Sequence, residues 1–161
     1  MQNQVVSVHL LSGWSKDSSS TSTDLILDGP SSVGLGLETQ EIASSYTLSD
    51  VFSTITSNYQ SNSSFSNVQV CQQPTKSALP GNPSLPGGYV QICFTAQTQS
   101  GSVSIVAILF EALVPITGDS SHQVLASEDC FIPQSLGSNA FTNIAQPELN
   151  TLSWLGMSAS S

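Results

Sequence analysis

Asp119-Ser120-Ser121-His122 places an acid, two hydroxyls and an imidazole in four consecutive positions. These are the residue types of a hydrolase that activates serine through histidine. Such a triad needs the base oriented by a buried acid, and the chain has no G-x-S-x-G elbow. Four polar residues after an apolar run read instead as a solvated turn. His9 alternates with Val8 and Leu10 and reads as a strand residue rather than a base. The expectation is a protein that is not an enzyme, with a serine-hydrolase-like enzyme as the third functional reading.

Calcium needs six or more oxygen ligands. Asp17, Asp24 and Asp28 are the candidates, converging across a loop, and turn formation is the competing reading. Glu128-Asp129 is the other close acidic pair, and neither arrangement has EF-hand spacing. No cofactor is expected beyond that calcium. Gly34-Leu35-Gly36 is not a phosphate cradle, because no basic residue or capped helix follows it directly. Asn62-Ser63-Ser64 fits the N-x-S/T pattern, which arises by chance in so serine-rich a chain.

Cys71, Cys93 and Cys130 are odd in number, and their spacings match no zinc pattern. Two readings stand. Either all three are reduced, half-buried thiols, or Cys71 and Cys93 pair across neighbouring strands and leave Cys130 free. Trp14 beside Gly13 and a polar loop is a candidate recognition aromatic; the competing reading has it close one end of the core.

Charge excludes one class of partner. The 161 residues include two lysines, Lys16 and Lys76, no arginine and eleven acids, for a net charge of −9. Such a chain cannot neutralise a phosphate backbone, so no nucleic-acid binding is expected. The longest apolar run, Ile105 to Phe110, is too short to span a bilayer, so no membrane insertion is expected either. Met1-Gln2-Asn3-Gln4 lacks a positive n-region, which reads as no signal peptide; Met1 is either a native start or an added one on an excised fragment. Hydrophobic content of 39% with 8% charge argues for a folded core, and the length suits one domain, residues 1–161, from a longer chain.

The elements are mainly strands. Val6, Val8 and Leu10 alternate with polar residues, and Asp24 to Leu27 is a short strand stopped by Asp28-Gly29-Pro30. Val33, Leu35 and Leu37 alternate with glycines, suggesting an edge or bulged strand. Leu48, Val51, Phe52 and Ile55 have helical spacing, with Thr47 and Asp50 as N-cap and N3. This predicts a helix of about two to three turns covering one open end of the core. Val68 to Cys71 is a strand. Pro74 to Gly88, with four prolines and three glycines, predicts an exposed loop; an interdomain linker is its alternative. Ser77, Leu79, Asn82 and Leu85 in that loop, with Trp14, are the candidate binding residues.

Tyr89–Thr98 and Ser102–Val114 alternate strongly about a Gln99-Ser100-Gly101 connection and predict a long hairpin at the centre of the molecule. Apolar residues on both faces of the second strand predict burial on both sides. Gln123–Ala126 and Cys130–Ile132 read as short strands split by Ser127-Glu128-Asp129. The tail from Pro147 to Met157 fits either a short helix or a final strand, and Ser158 to Ser161 reads as a frayed end. The fold class is all-β, a mainly antiparallel β-sandwich or barrel, with one short α-helix.

The strands Tyr89–Thr98 and Ser102–Val114, the Pro74–Gly88 loop and the Ser/Thr/Gln-rich faces resemble the protruding domain of a small non-enveloped virus capsid protein. That resemblance implies an outward-projecting β domain beside a basic, genome-packaging shell, and the missing basic arm fits the projection. It further implies a structural, non-enzymatic role on the virion surface: display, self-association as a dimer or trimer, and attachment to a host receptor or glycan. The alternative is an extracellular adhesin or a pilus or filament subunit at the cell surface.

Overall fold

The computed structural model describes residues 6–21 and 23–154; the readings on Met1 to Gln4 and on Ser158 to Ser161 lie outside the described residues. The architecture is mainly β, as expected. Seven strands form one antiparallel sheet: β2 (Ser15–Lys16), β3 (Asp24–Asp28), β4 (Gly34–Ala43), β5 (Phe65–Leu79), β6 (Asn82–Thr98), β7 (Gly101–Ile116) and β8 (Asp119–Pro133). Their order is β2-β3-β4-β8-β7-β6-β5. β1 (Val6–Ser7) and β9 (Ser153–Trp154) form a separate antiparallel pair.

The predicted hairpin is β6–β7. Its register runs from Gly87↔Ala112 through Val90↔Leu109 and Phe94↔Ile105 to Thr98↔Gly101. Both faces of β7 carry apolar side chains and both are covered. Val90, Ile92, Phe94, Ala107 and Leu109 pack on one face with Phe52. Ile108 and Phe110 pack on the other with Leu35, Leu37, Cys130, Ile132 and Leu149.

The first face carries α1 (Leu48–Ser61). Thr47 accepts from the Asp50 N–H, and the Asp50 carboxylate accepts from the Thr47 N–H at 2.9 Å, the reciprocal capping box that the spacing predicts. The helix has 14 residues, about four turns rather than two to three, and it lies along the sheet face rather than over an open end. Tyr59 explains the extra turn. It extends the apolar stripe four residues beyond Ile55 and packs on Phe65 and Phe94, with ring centroids 5.5 and 5.3 Å away.

The second face is covered by the chain ends. The π-helical turn Phe141–Ala145 and α2 (Gln146–Leu149) lie there with Trp14 and Leu152. Glu148 is buried, and one of its oxygens accepts the Leu11 N–H at 3.0 Å, tying the two ends of the chain together. The tail therefore holds both a helical turn and a final strand, α2 and β9.

Three further expectations need correction. Residues 74–88 are not an exposed loop; they form the outer parts of β5 and β6, turning at Pro80-Gly81. Leu79 and Leu85 are each 1% exposed and pack with Ala112, Ala126 and Trp154. The prolines are tolerated because β5 is an edge strand interrupted by bulges, and because Pro83 and Pro86 precede Gly87, where pairing with β7 begins. Second, Ser127-Glu128-Asp129 does not split a strand; β8 runs unbroken, paired with β4 and β7. Third, β4 is an interior strand, not an edge. Of the two cysteine readings, the structure has the paired one: Cys71 and Cys93 are joined as a disulfide across β5–β6, with Cα atoms 5.8 Å apart, while Cys130 is free and buried.

Candidate functional site

Strand alternation decides which polar residues meet. Counting outward from β8, Ser127 pairs with Glu38 of β4 and with Glu111 of β7, so these three form a row across adjacent strands. Asp129 lies two residues farther along β8 on the same face, opposite Gly36 and Leu109. Strand spacing places the Cα atoms of Glu38 and Glu111 about 10 Å apart, and Asp129 about 7 Å from Ser127.

This row floors a groove of about 380 Å³ whose wall is α1. Val51, Thr54, Ile55, Asn58 and Tyr59 line it from the helix, Gln40 and Ile42 from β4, and Tyr46 closes one end. The size lies near the lower end for small-molecule pockets. The helix packs on β5, β6 and β7, and the β4–β8 part of the face borders the groove.

Burial makes these carboxyls unusual. Glu111 is 2% exposed, and its Oε2 accepts the Ser127 hydroxyl at 2.5 Å. Burial, then the nearby Asp129, holds its carboxyl well above the ordinary range, against the lowering effect of that hydrogen bond. Burial also raises Asp129, helped by Glu38 and Glu128. Glu38 differs from the other two in being exposed; partial desolvation and then Asp24 raise it. The Tyr59 hydroxyl moves the same way, through burial first and the charges of Asp129 and Glu111 second. Asp129 as a residue keeps partial exposure, yet its Oδ1 is sealed from solvent and has no hydrogen-bond partner. No lysine or histidine lines the groove. Chemically, it presents protonatable oxygens that can donate when neutral and attract a cation when ionised.

Glu128 points the other way, as alternation requires. It is fully buried, accepting the Gly81 N–H at 2.8 Å and the Trp154 Nε1–H at 2.7 Å. Burial pushes it up to about 7 against those two bonds. A side chain at Gly81 would place Cβ 2.6 Å from Glu128 Oε1, so glycine is needed there for the close approach. A second cavity, of about 460 Å³, opens between β7, β8 and the Pro133–Thr142 segment, and among the described residues no titratable side chain lines it.

The residues singled out from sequence lie elsewhere. Trp14 is 9% exposed and sits against Gly29 in the core, as the core-closing reading had it, so it offers no recognition surface. Leu79 and Leu85 are buried too, which removes them from a contact surface. Ser77 is half-buried, with its hydroxyl on the Ala78 carbonyl at 3.0 Å. Asn82 Oδ1 accepts the Ser84 hydroxyl at 2.5 Å, capping the β5–β6 turn. Asp17 accepts the Ser19 N–H at 2.7 Å in the β2–β3 turn. It does not converge with Asp24 and Asp28 into a metal-binding group, and no cluster of three or more such ligands occurs among the described residues.

Asp119 Oδ1 accepts the N–H groups of Ser121 and His122, and its Oδ2 meets His122 Nδ1 at 3.0 Å. This is an exposed turn at the start of β8. Among the described residues no serine hydroxyl bonds to the imidazole. Glu38 and Glu111 escaped sequence reasoning; Asp129 reads there only as half of an acidic pair with Glu128, and Ser127 only as part of a strand break. The available signal was a lone acid, Glu111, inside an otherwise apolar strand. No family model matches this chain, and no curated protein matches its sequence.

Proposed function

We propose that this protein is a non-enzymatic recognition domain displayed outside a cell or particle, which captures its partner through the groove beneath α1. The observation that carries this reading is the groove itself: a concave site of about 380 Å³ with convergent polar groups on a rigid sheet. The Cys71–Cys93 disulfide supports an oxidising, exterior setting. On this reading the domain serves display and attachment to a host receptor or glycan at a virion surface, with self-association as a dimer or trimer. An adhesin or filament subunit is the alternative setting for the same site.

The test is a titration of isotope-labelled protein with a library of glycans and small polar molecules, read by backbone amide shifts. The expected result is saturable shifts confined to Glu38, Glu111, Ser127, Asp129 and α1. Shifts confined to other surfaces, or none with any compound, would count against the reading.

A second reading has the same carboxyls in its favour. Buried acids with raised proton affinity in a cleft also suit general acid catalysis. It predicts chemical turnover of a library compound that Glu111→Gln abolishes.

A further inference from the structure

We propose that the groove beneath α1 is a binding site for an aliphatic amine, whose ammonium group is held between Asp129 and Glu111. This inference rests on the groove being the recognition site and names its ligand class. Four observations converge on it. The floor carries Glu38, Glu111 and Asp129 from three adjacent strands, with no basic side chain in the lining. Asp129 is only partly buried where it lines the groove, and its Oδ1 has no hydrogen-bond partner, so the carboxyl has hydrogen-bonding capacity left to satisfy. The chain as a whole carries −9, so the field favours a cationic guest. Tyr46, half exposed, and Tyr59 place aromatic side chains in the same lining, and aromatic rings attract ammonium groups.

Geometry separates an organic cation from a metal ion. Among the described residues no three acidic side chains lie close enough to share an ion. Glu38 and Glu111 start from Cα atoms about 10 Å apart. An ammonium offers three N–H donors, and a diamine offers a second cation several bonds away, so such a ligand can satisfy separated carboxyls.

Proton linkage follows. In the free protein burial keeps Glu111 and Asp129 protonated into the neutral range. An arriving ammonium favours their ionised forms, so binding releases a proton to solvent. The site is also faced by Glu38 from β4, Tyr59 from α1 and Tyr46 ahead of the helix; Glu38 and Tyr59 are shifted in the same direction and leave the sign unchanged.

The experiment titrates labelled protein with three probes: putrescine, a short lysine-containing peptide, and glucose as a neutral control. Expected are saturable amide shifts at Glu38, Glu111, Ser127 and Asp129 with the amines and none with glucose. Tighter binding of the peptide assigns the amine to a protein side chain; tighter binding of putrescine assigns a free amine. Asp129→Asn and Glu111→Gln should each weaken binding about tenfold or more. Glu41→Gln, exposed and outside the groove, removes equal charge and should change affinity less than about twofold. Wild-type affinity should rise between pH 6 and pH 8, by up to about tenfold per pH unit for one released proton, which keeps the test independent of how the variants fold.

Non-saturating shifts scattered over the surface, equal losses in Glu41→Gln, or affinity that falls with pH would each overturn the proposal. Shifts in the groove with glucose but with neither amine would overturn the amine and leave the groove as the recognition site. Silence of the groove to these probes and to the wider library would overturn both.

Discussion

The indole Nε1–H of Trp154 donates to Oε1 of Glu128 at 2.7 Å, both groups buried, across 26 residues of chain. The other carboxylate oxygen holds the β5–β6 turn through Gly81. One acid therefore fastens the final strand and the far end of the β5–β6 hairpin to the middle of β8. Trp154→Phe keeps the ring but leaves a buried acceptor unpaired, and should cost about 1–3 kcal/mol in urea unfolding. Removing that N–H also removes a bond that favours the ionised acid, so the Glu128 titration should move further upward.

Stability should fall as pH rises through neutrality. Glu128, Glu111 and Asp129 all have folded-state values raised above their unfolded ones, Glu128 to about 7. The native state then binds more protons than the unfolded state. The stability this confers is complete below about pH 4 and is lost as pH rises through the folded values. Each retained proton gives a slope of up to about 1.4 kcal/mol per pH unit. Urea midpoints should be higher at pH 5 than at pH 8. Glu111→Gln should flatten the dependence, with the Ser127 hydroxyl turning to suit the amide. A midpoint that climbs from pH 5 to pH 8 would contradict the burial of these acids.

Thr47→Ala should cost about 1 kcal/mol, because the capping box loses its acceptor for the Asp50 N–H. Equilibrium unfolding measures it, and an unchanged midpoint would show the cap contributes nothing. Phe94→Ala should cost about 3–5 kcal/mol, since the ring is 3% exposed between Tyr59 and Phe65. Ile105→Ala should cost less, because that side chain is only half-buried.

Replacing Ser77 to Leu85 with a Gly/Ser spacer of equal length should collapse the melting transition. The segment supplies Leu79 and Leu85 to the core and the Gly81 amide to Glu128. A fold that survives the exchange would return the segment to the status of a loop.

Alkylation should separate the cysteines. Without denaturant none should react: Cys71 and Cys93 are bonded, and Cys130 is buried with its thiol pushed well up by burial and by Asp129 and Glu128. Denaturant alone should expose only Cys130, and added reductant all three. Rapid labelling of Cys71 in the native, unreduced protein would refute the pairing.

Local patterns were legible in the sequence where periodicity and chemistry agree. The β6–β7 hairpin announces itself through alternation and a glycine-containing turn, and α1 through a capping box joined to a helical stripe. The Pro74–Gly88 segment misleads because proline signals a missing donor without telling which strand would need it. Pro83 and Pro86 fall where β6 has not yet met β7 and is flanked only by the bulged edge strand β5, a position that tolerates proline. Ser127-Glu128-Asp129 misleads because three polar residues look like a break. In the sheet their alternation sends Glu128 to Trp154 on one face and Ser127 with Asp129 to the groove on the other. The groove itself depends on the pairing of β4, β8 and β7, which brings Glu38 and Glu111 beside a strand far along the chain. Nothing local in the sequence encodes that register.

The most direct measurement of the groove's chemistry is a carbon-detected titration of the side-chain carboxyls of Glu111 and Asp129, with and without saturating putrescine. The account predicts that both titrate well above the ordinary carboxylate values near 4 in the free protein, and that the amine draws them down. Midpoints near 4 in both conditions, unmoved by the amine, would contradict it.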